Sequence, residues 1–114
     1  MTRIFKIFRQ GEYETFVAAG RTLGAPIDLA DGYIHFSTAE QAGETAEKHF
    51  VGEDGLKVLA VQVEPLGDDL KWEVSRGGAL FPHLYRELRA EDVDWAKDLP
   101  LVDGMHQMDE VLGD

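Results

Sequence analysis

The stretch LKWEVSRGGALFPHLY, from Leu70 to Tyr85, combines the alternation of a strand with an unusual set of charged residues. Its first six residues alternate apolar Leu70, Trp72 and Val74 with polar side chains, which predicts a strand with one apolar face. The glycine pair that follows Arg76 indicates a turn before a second extended run. Polar side chains mixed with aromatic ones in this way are typical of a pocket wall.

The second extended run contains a proline, and the segments before the stretch predict two short helices. Pro82 predicts an edge or bulged strand, because it cannot donate to a ladder on both sides. GEYETFVAAG has helical spacing and ends at Gly20, and a second helix follows YIHFS with Ser37 as its predicted N-cap. Residues 21–32 contain glycine, proline and aspartate and are predicted to form a loop.

The remaining segments predict short strands. RIFKIFR predicts a first strand, the Val- and Leu-rich LKVLAVQVE a central one and AKDLPLV a last one. About six strands and two helices that do not alternate strictly predict an α+β domain with a mainly antiparallel sheet. We expect residues 1–103 to form one globular domain and residues 104–114 a polar tail that frays. The predicted core takes the apolar side of these elements: Ile34, Phe36, Phe50, Val58, Ala60, Leu70, Trp72 and Val74.

Charge and composition argue against several classes of protein. The 114 residues include 22 acidic and 11 basic side chains, a net charge of −11, so we expect no nucleic-acid partner. No apolar run approaches the roughly 20 residues that span a bilayer, and the first residues do not resemble a signal peptide. The lack of cysteine excludes a disulfide scaffold and a thiol nucleophile. We expect a cytoplasmic monomer or weak dimer that binds neither nucleic acid nor membrane.

Two polar residues on different strands could open onto one side of the sheet. His35 shares a strand face with Tyr33, and Glu73 lies on the polar face of LKWEVS. A glutamate beside a sugar can stabilise positive charge at the anomeric carbon or take a proton, and a histidine can hold a ribose hydroxyl. Each residue also has a simpler interpretation, His35 as a packing residue and Glu73 as a surface charge.

The residues after Glu73 could bind a ligand such as a nucleotide or sugar phosphate. The guanidinium group of Arg76 suits a phosphate, and the glycine pair permits close approach of a ligand or forms only a tight turn. Alternatively, Arg76 merely neutralises Glu73. The predicted substrate-binding residues are Tyr33, Ser75, Arg76, Gly77, Gly78, His83 and Tyr85.

Metal and hydrolase motifs are missing from the sequence. His35, His83 and Glu73 would make a two-histidine, one-carboxylate set, but no HxH, HxxxH or HExxH spacing supports it, so we predict no metal. Ser37 does not lie in a GxSxG elbow, and there is no GxGxxG or GxxxxGK[ST] motif.

Two long motifs carry a family resemblance. DGYIHFST and KWEVSRGGALFPHLY match D-G-[FY]-I-H-x-S-T and K-W-E-x-S-R-G-G-x-L-F-P-H-L-Y. From about Ile4 to about Leu101, the chain therefore resembles the small bacterial proteins of domain of unknown function family 952. The resemblance implies a compact relative of the ADP-ribosylation fold, a split antiparallel sheet that binds NAD in other families. It also implies that His35 matches the early-strand histidine of such transferases and that Glu73 matches their late-strand glutamate. In the Arg21–Thr22 region, where family members often have an aromatic residue, this chain has GRTLG instead.

Two hypotheses follow from the residues and the resemblance. The first is an enzyme of the ADP-ribosyl type with Glu73 and His35 as catalytic residues and NAD as a possible substrate; we predict no firmly bound cofactor. The second is a non-catalytic pocket for a small molecule or a peptide, in which Trp72, Phe81 and Tyr85 supply apolar area. Both predict that His35 and Glu73 lie in one cleft.

Overall fold

The computed structural model describes residues 2–113, apart from the side chain of Arg76, and contains two three-stranded antiparallel sheets. The first sheet has the order β1-β4-β8 and consists of β1 (Arg3–Phe8), β4 (Leu56–Gln62) and β8 (Val93–Leu99). The second has the order β3-β6-β5 and consists of β3 (Ile34–His35), β5 (Leu70–Val74) and β6 (Leu80–Leu84). Two short antiparallel pairs complete the strands: β2 (Arg21–Thr22) with β7 (Leu88–Arg89), and β9 (Leu101–Val102) with β10 (Met105–His106).

Four α-helices accompany these sheets in the described residues, where the sequence predicted two. They are α1 (Gln10–Ala19), α2 (Pro26–Asp31), α3 (Ala39–His49) and α4 (Met108–Leu112), with 3₁₀ turns at Glu64–Asp69, Arg76–Gly78 and Ala90–Asp92. No helix in residues 2–113 is long and apolar enough to cross a membrane. The predicted α+β class with antiparallel strands is confirmed.

Helix α2 lies in the segment that the sequence predicted as a loop. Pro26 occupies its first turn, where a missing N–H costs no hydrogen bond, and Gly32 ends it with a left-handed φ of 86°. Helix α3 was predicted correctly, but its N-cap is Thr38, whose hydroxyl accepts a bond from the backbone N–H of Gln41 at 3.2 Å. Ser37 instead forms a backbone bridge with Phe5.

The core has two parts. The first is shared by the two sheets and includes Ile4 and Val61 from one and Ile34, Leu70 and Leu84 from the other. The second part packs α3 and α4 on the opposite face of the first sheet: Phe5, Ile7, Val58, Ala60, Ala42, Ala46, Met108 and Val111. Ile34, Phe36, Val58, Ala60 and Leu70 are buried as predicted, and Phe50 is partly buried.

Trp72 and Val74 do not belong to the core, contrary to the prediction. They are 42 % and 70 % exposed, although they share a strand face with the buried Leu70. The alternation of β5 was therefore predicted correctly, but β5 is an edge strand and pairs Val74 with Leu80, which is itself 52 % exposed. This end of the β5–β6 hairpin extends beyond the core.

Pro82 lies in the middle strand of its sheet, so the prediction of an edge strand was wrong. Its carbonyl accepts a bond from the N–H of Phe36, so the proline nitrogen also points towards β3 rather than towards β5. Strand β3 ends at His35, which lies opposite His83, so the β3–β6 ladder stops before Pro82 and needs no N–H donor at that position.

The C-terminal segment is folded against the domain, which differs from the predicted frayed tail. His106, Met108 and Val111 are buried. The ring of His106 contacts Glu47 of α3 through Nδ1 at 3.0 Å, and its Nε2 donates to the carbonyl of Glu53 at 2.8 Å. The polar composition of this segment conceals the apolar spacing of Met108 and Val111, which lie three residues apart on one side of α4.

Candidate functional site

The candidate site lies where the two sheets part. Phe5 and Ser37 exchange backbone hydrogen bonds of 2.8 and 2.9 Å in an antiparallel bridge between β1 and the end of the β3 segment. Continuing this register would pair Ile7 with His35. Both residues instead line a cavity of about 670 Å³ between the sheets. The cavity has an aromatic wall and polar groups from both sheets, with Phe5, Lys6, Phe36, Ser75, Phe81 and His83 among its lining residues.

A buried carboxylate, Asp28, takes the place of the missing strand pairing. It is only 1 % exposed, and it accepts hydrogen bonds from the backbone N–H groups of Ala25 at 2.7 Å and His35 at 3.0 Å. The N–H of His35 would otherwise point at β1. Asp28 also accepts from Nζ of Lys6 at 2.7 Å and contacts Nδ1 of His35 at 2.6 Å.

These contacts determine the ionisation of Asp28. Burial by itself raises the pKa of the carboxyl group, but the hydrogen bonds from His35 and Lys6 and the positive charge of Lys6 outweigh it, so the pKa lies below its ordinary value. Burial lowers the pKa of Lys6, against the attraction of Asp28. Asp28 is therefore an anion in the folded protein at neutral pH.

His35 is held from both sides. Its Nδ1 contacts Asp28, and its Nε2 contacts Oδ2 of Asp31 at 2.9 Å. Each ring nitrogen therefore lies within hydrogen-bond distance of a carboxylate oxygen, one buried and one partly exposed. No nitrogen of His35 is then left for the ribose hydroxyl that the sequence analysis assigned to it.

A second carboxylate–histidine pair lies on the other side of His35. Oε1 of Glu73 contacts Nδ1 of His83 at 2.8 Å and accepts from the hydroxyl of Tyr85 at 2.7 Å. The bond from Tyr85, followed by that from His83, lowers the pKa of Glu73, and the carboxylate raises the pKa of Tyr85 to about 12. His83 is 2 % exposed, and its Nε2 has no hydrogen-bond partner among the described side chains and backbone.

Aromatic rings connect the two pairs. The ring of Tyr33 stacks on His83 at a centroid distance of 4.2 Å and lies 5.1 Å from Tyr85. Strand register places His35 opposite His83, with 5.3 Å between their ring centroids. His35 and Glu73 thus lie close together with His83 between them, but only His35 and His83 line the cavity, so the prediction that His35 and Glu73 share one cleft is met only in part. The strand alternation that placed them on one side of the sheet was read correctly.

The other predicted binding residues are Ser75 and the RGG turn that follows it. Ser75 lines the cavity. Gly77 and Gly78 have φ of 69° and 79°, and a Cβ at either position would meet nothing within 4 Å, so the turn alone explains both glycines. The predicted contacts of the Arg76 side chain lie outside the described part of the structure.

The sequence analysis missed Lys6, Asp28 and Asp31. Lys6 is a single charge in an apolar strand, and the two aspartates were assigned to a loop. The available signal was Pro26 before them and Gly32 after them, which together mark a short helix. No group of three His, Cys, Asp or Glu side chains within residues 2–113 could hold a metal ion.

Comparison with known families identifies the chain at the level of its family. Residues 7–96 match the family described as protein of unknown function (DUF952). The chain belongs to this family. No protein with curated annotation matches this DUF952 chain.

Solved structures similar to this DUF952 chain include two of protein CC0527 from Caulobacter crescentus. The X-ray structure is 52 % identical, covers 99 % of this chain and 100 % of its own, and superposes with a TM-score of 0.95. The solution NMR structure is 53 % identical over 97 % of each chain, with a TM-score of 0.87. These matches extend over nearly the whole DUF952 chain and agree with its two-sheet fold.

The two histidines of the DUF952 site differ in what they can do chemically. Asp28 and Asp31 occupy both nitrogens of His35, so this histidine fixes the geometry of the opening. Glu73 contacts only Nδ1 of His83 and orients the ring, whereas the buried Nε2 has no hydrogen-bond partner among the described residues.

Proposed function

We propose that the cavity between the sheets binds NAD or a nucleotide sugar and that the Glu73–His83 pair assists transfer of its ADP-ribosyl or glycosyl group. The observation that carries this proposal is the ionised Glu73 beside a buried imidazole with one unused nitrogen, at the wall of a cavity. A carboxylate and a histidine with these properties are the groups that stabilise a sugar cation and accept a proton.

The cavity has the size and the lining that such a ligand needs. Its volume of about 670 Å³ lies within the range of roughly 300–1,000 Å³ for small-molecule sites. Phe5, Phe36 and Phe81 line the cavity and supply apolar surface for a base or nicotinamide ring. The ammonium group of Lys6 uses one of its three hydrogens on Asp28, so it can also donate to a carbonyl or phosphate oxygen of the ligand.

In the proposed reaction with NAD, the C1′–N bond breaks and its electron pair stays on nicotinamide, which leaves as a neutral base. The oxygen of an acceptor hydroxyl or water forms the new bond to C1′, and its proton passes to Nε2 of His83. Glu73 does not line the cavity, so its role is to hold Nδ1 of His83 and to stabilise the imidazolium that forms.

The relationship to the ADP-ribosylation fold is part of this proposal. Two three-stranded antiparallel sheets that part beyond a single bridge agree with a split sheet. His35 lies on an early strand and Glu73 on a later one, in the order that the resemblance implies. A cytoplasmic location, where NAD and nucleotide sugars are available, belongs to the same proposal.

Release of nicotinamide from NAD, measured by chromatography with water or a hydroxyl acceptor, tests the chemistry. We expect Glu73→Gln to lower turnover by about 10²-fold or more, since the amide cannot stabilise the imidazolium. Glu40→Gln, on an exposed position of α3, is the matched control and should retain full turnover. The proposal fails if the unaltered protein neither binds NAD or nucleotide sugars nor releases a product from them.

Binding without catalysis is the second candidate, and the state of His35 favours it. Both nitrogens of this ring are occupied, so the histidine expected to hold the ribose is not available. In this case a ligand at 100 times its Kd should stabilise the folded protein by about 2.7 kcal/mol and so raise its melting temperature, but no product should form. Glu73→Gln should then change affinity only.

A further inference from the structure

Strand β5 has one edge that pairs with no other strand among residues 2–113. It is the outer strand of the β3-β6-β5 sheet, and Lys71, Trp72 and Val74 are exposed. Because Trp72 and Val74 share a strand face with the exposed Leu80 across the hairpin, this edge also borders an apolar surface.

The ladder determines which backbone groups face outwards. Trp72 lies opposite Pro82, whose carbonyl points away from β5 to Phe36, so the two residues form a non-hydrogen-bonded pair. Consistently, Ser75 donates to Ala79 across the hairpin. The N–H and C=O groups of Trp72 and Val74 and the C=O of Leu70 therefore point to the open edge, whereas the N–H of Leu70 is bonded to Gly67.

The sequence of β5 is complementary to itself in an antiparallel pair centred on Trp72. Such a pair places Trp72 opposite Trp72 of the partner subunit, where the two residues exchange N–H···O bonds. The N–H of each Val74 then meets the carbonyl of Leu70 of the partner subunit. On the other face, Lys71 lies opposite Glu73 of the partner subunit, which joins opposite charges at a closely spaced position.

We propose that the protein forms a two-fold symmetric homodimer through its β5 edges, producing one continuous six-stranded sheet. The apolar faces of the two hairpins, around Trp72, Val74 and Leu80, then lie side by side on one face of this sheet. The dimer also brings Lys71 of the partner subunit to Glu73, whose Oε1 contacts Tyr85 and His83. Each candidate site thereby gains a cation from the other subunit. The inference does not depend on the identity of the ligand.

Light scattering over a concentration series and a single introduced cysteine test this dimer. We expect the mass to rise from the 12.7 kDa of one chain towards twice that value. The chain has no cysteine, so Trp72→Cys provides a unique thiol that should cross-link across the two-fold axis under mild oxidation. Lys71→Cys, offset from its symmetry mate, is the control and should cross-link at least about tenfold more slowly.

Amide hydrogen exchange of the unaltered chain provides a test without substitution. The amides of Trp72 and Val74 should exchange at least about tenfold more slowly at high than at low protein concentration. Those of Lys71 and Glu73, already bonded to β6, should change much less. A monomer at all concentrations overturns the proposal. A dimer with no selective cross-link at Trp72 and no added protection at these two amides overturns it equally.

Discussion

Replacing Asp28 by asparagine should remove the charge that holds Lys6 and His35 at the opening between the sheets. The substitution keeps the shape of the side chain but leaves the buried ammonium group of Lys6 without its counter-charge. Breaking a buried ion pair from one side costs about 3–5 kcal/mol. Because a domain of this kind is stable by roughly 5–15 kcal/mol, Asp28→Asn should unfold at a much lower urea concentration than the unaltered protein.

Asp31→Asn is the matched control for this prediction. Asp31 contacts the same histidine, but its side chain is 44 % exposed, and exposed ion pairs contribute about 0–1 kcal/mol. The double variant Lys6→Met with Asp28→Asn removes both buried charges and should recover part of the loss. Urea unfolding followed by circular dichroism measures all four proteins. The prediction is refuted if the free energies of unfolding of Asp28→Asn and Asp31→Asn differ by less than about 1 kcal/mol, which is the upper end of what an exposed ion pair contributes.

Acid provides an independent check on Asp28. Its pKa in the folded protein lies below the ordinary value of 3.8, so its contribution to stability is present above that pH. The contribution is lost as the pH falls from the ordinary value through the lowered one. Asp28→Asn should therefore reduce the loss of stability that the unaltered protein shows in this acid range.

Three further predictions concern single positions. Gly24→Ala should destabilise the protein by at least about 1 kcal/mol more than Gly77→Ala. Both glycines have a positive φ, but only at Gly24 would the added Cβ collide with the buried carboxylate of Asp28. Thermal unfolding measures the difference. Met108→Ala should lower the free energy of unfolding by about 2–5 kcal/mol because Met108 is buried, whereas Met105→Ala should lower it by less than about 0.5 kcal/mol because Met105 is exposed. Urea unfolding distinguishes the two. The hydroxyl of Tyr85 should ionise with a pKa of about 12 in an ultraviolet titration. Glu73→Gln removes the carboxylate that accepts its hydrogen bond and should lower this pKa. Equal pKa values in the two proteins would contradict the contact.

Residues with a local pattern were predicted well. The alternation in LKWEVS and YIHFS placed Glu73 and His35 on one side of the sheet, and the structure joins them through His83. The helical spacing of GEYETFVAAG predicted α1, and the segment after YIHFS predicted α3, although its capping residue was placed one position too early. These signals depend on neighbours within a few positions, which the sequence shows directly.

Features that depend on long-range packing were not predictable in this way. The importance of Asp28 becomes visible only in the folded chain, where it contacts Lys6, 22 residues earlier in the sequence. Trp72 has the alternation of a core residue, but its exposure depends on the position of β5 at the edge of the sheet. Pro82 is tolerated in a central strand because β3 stops short of it, and no local rule indicates the length of a neighbouring strand.

The single backbone bridge between Phe5 and Ser37 has a consequence for motion. Within residues 2–113 the two ladders are otherwise joined by side-chain packing and by the hydrogen bonds of Asp28 to Lys6 and His35, and packing tolerates small sliding displacements better than a directional backbone ladder does. The sheets can therefore shear slightly about this bridge while each ladder stays intact. A molecule bound between them would restrain that displacement, and the restraint would appear as slower hydrogen exchange at the amides of Phe5 and Ser37.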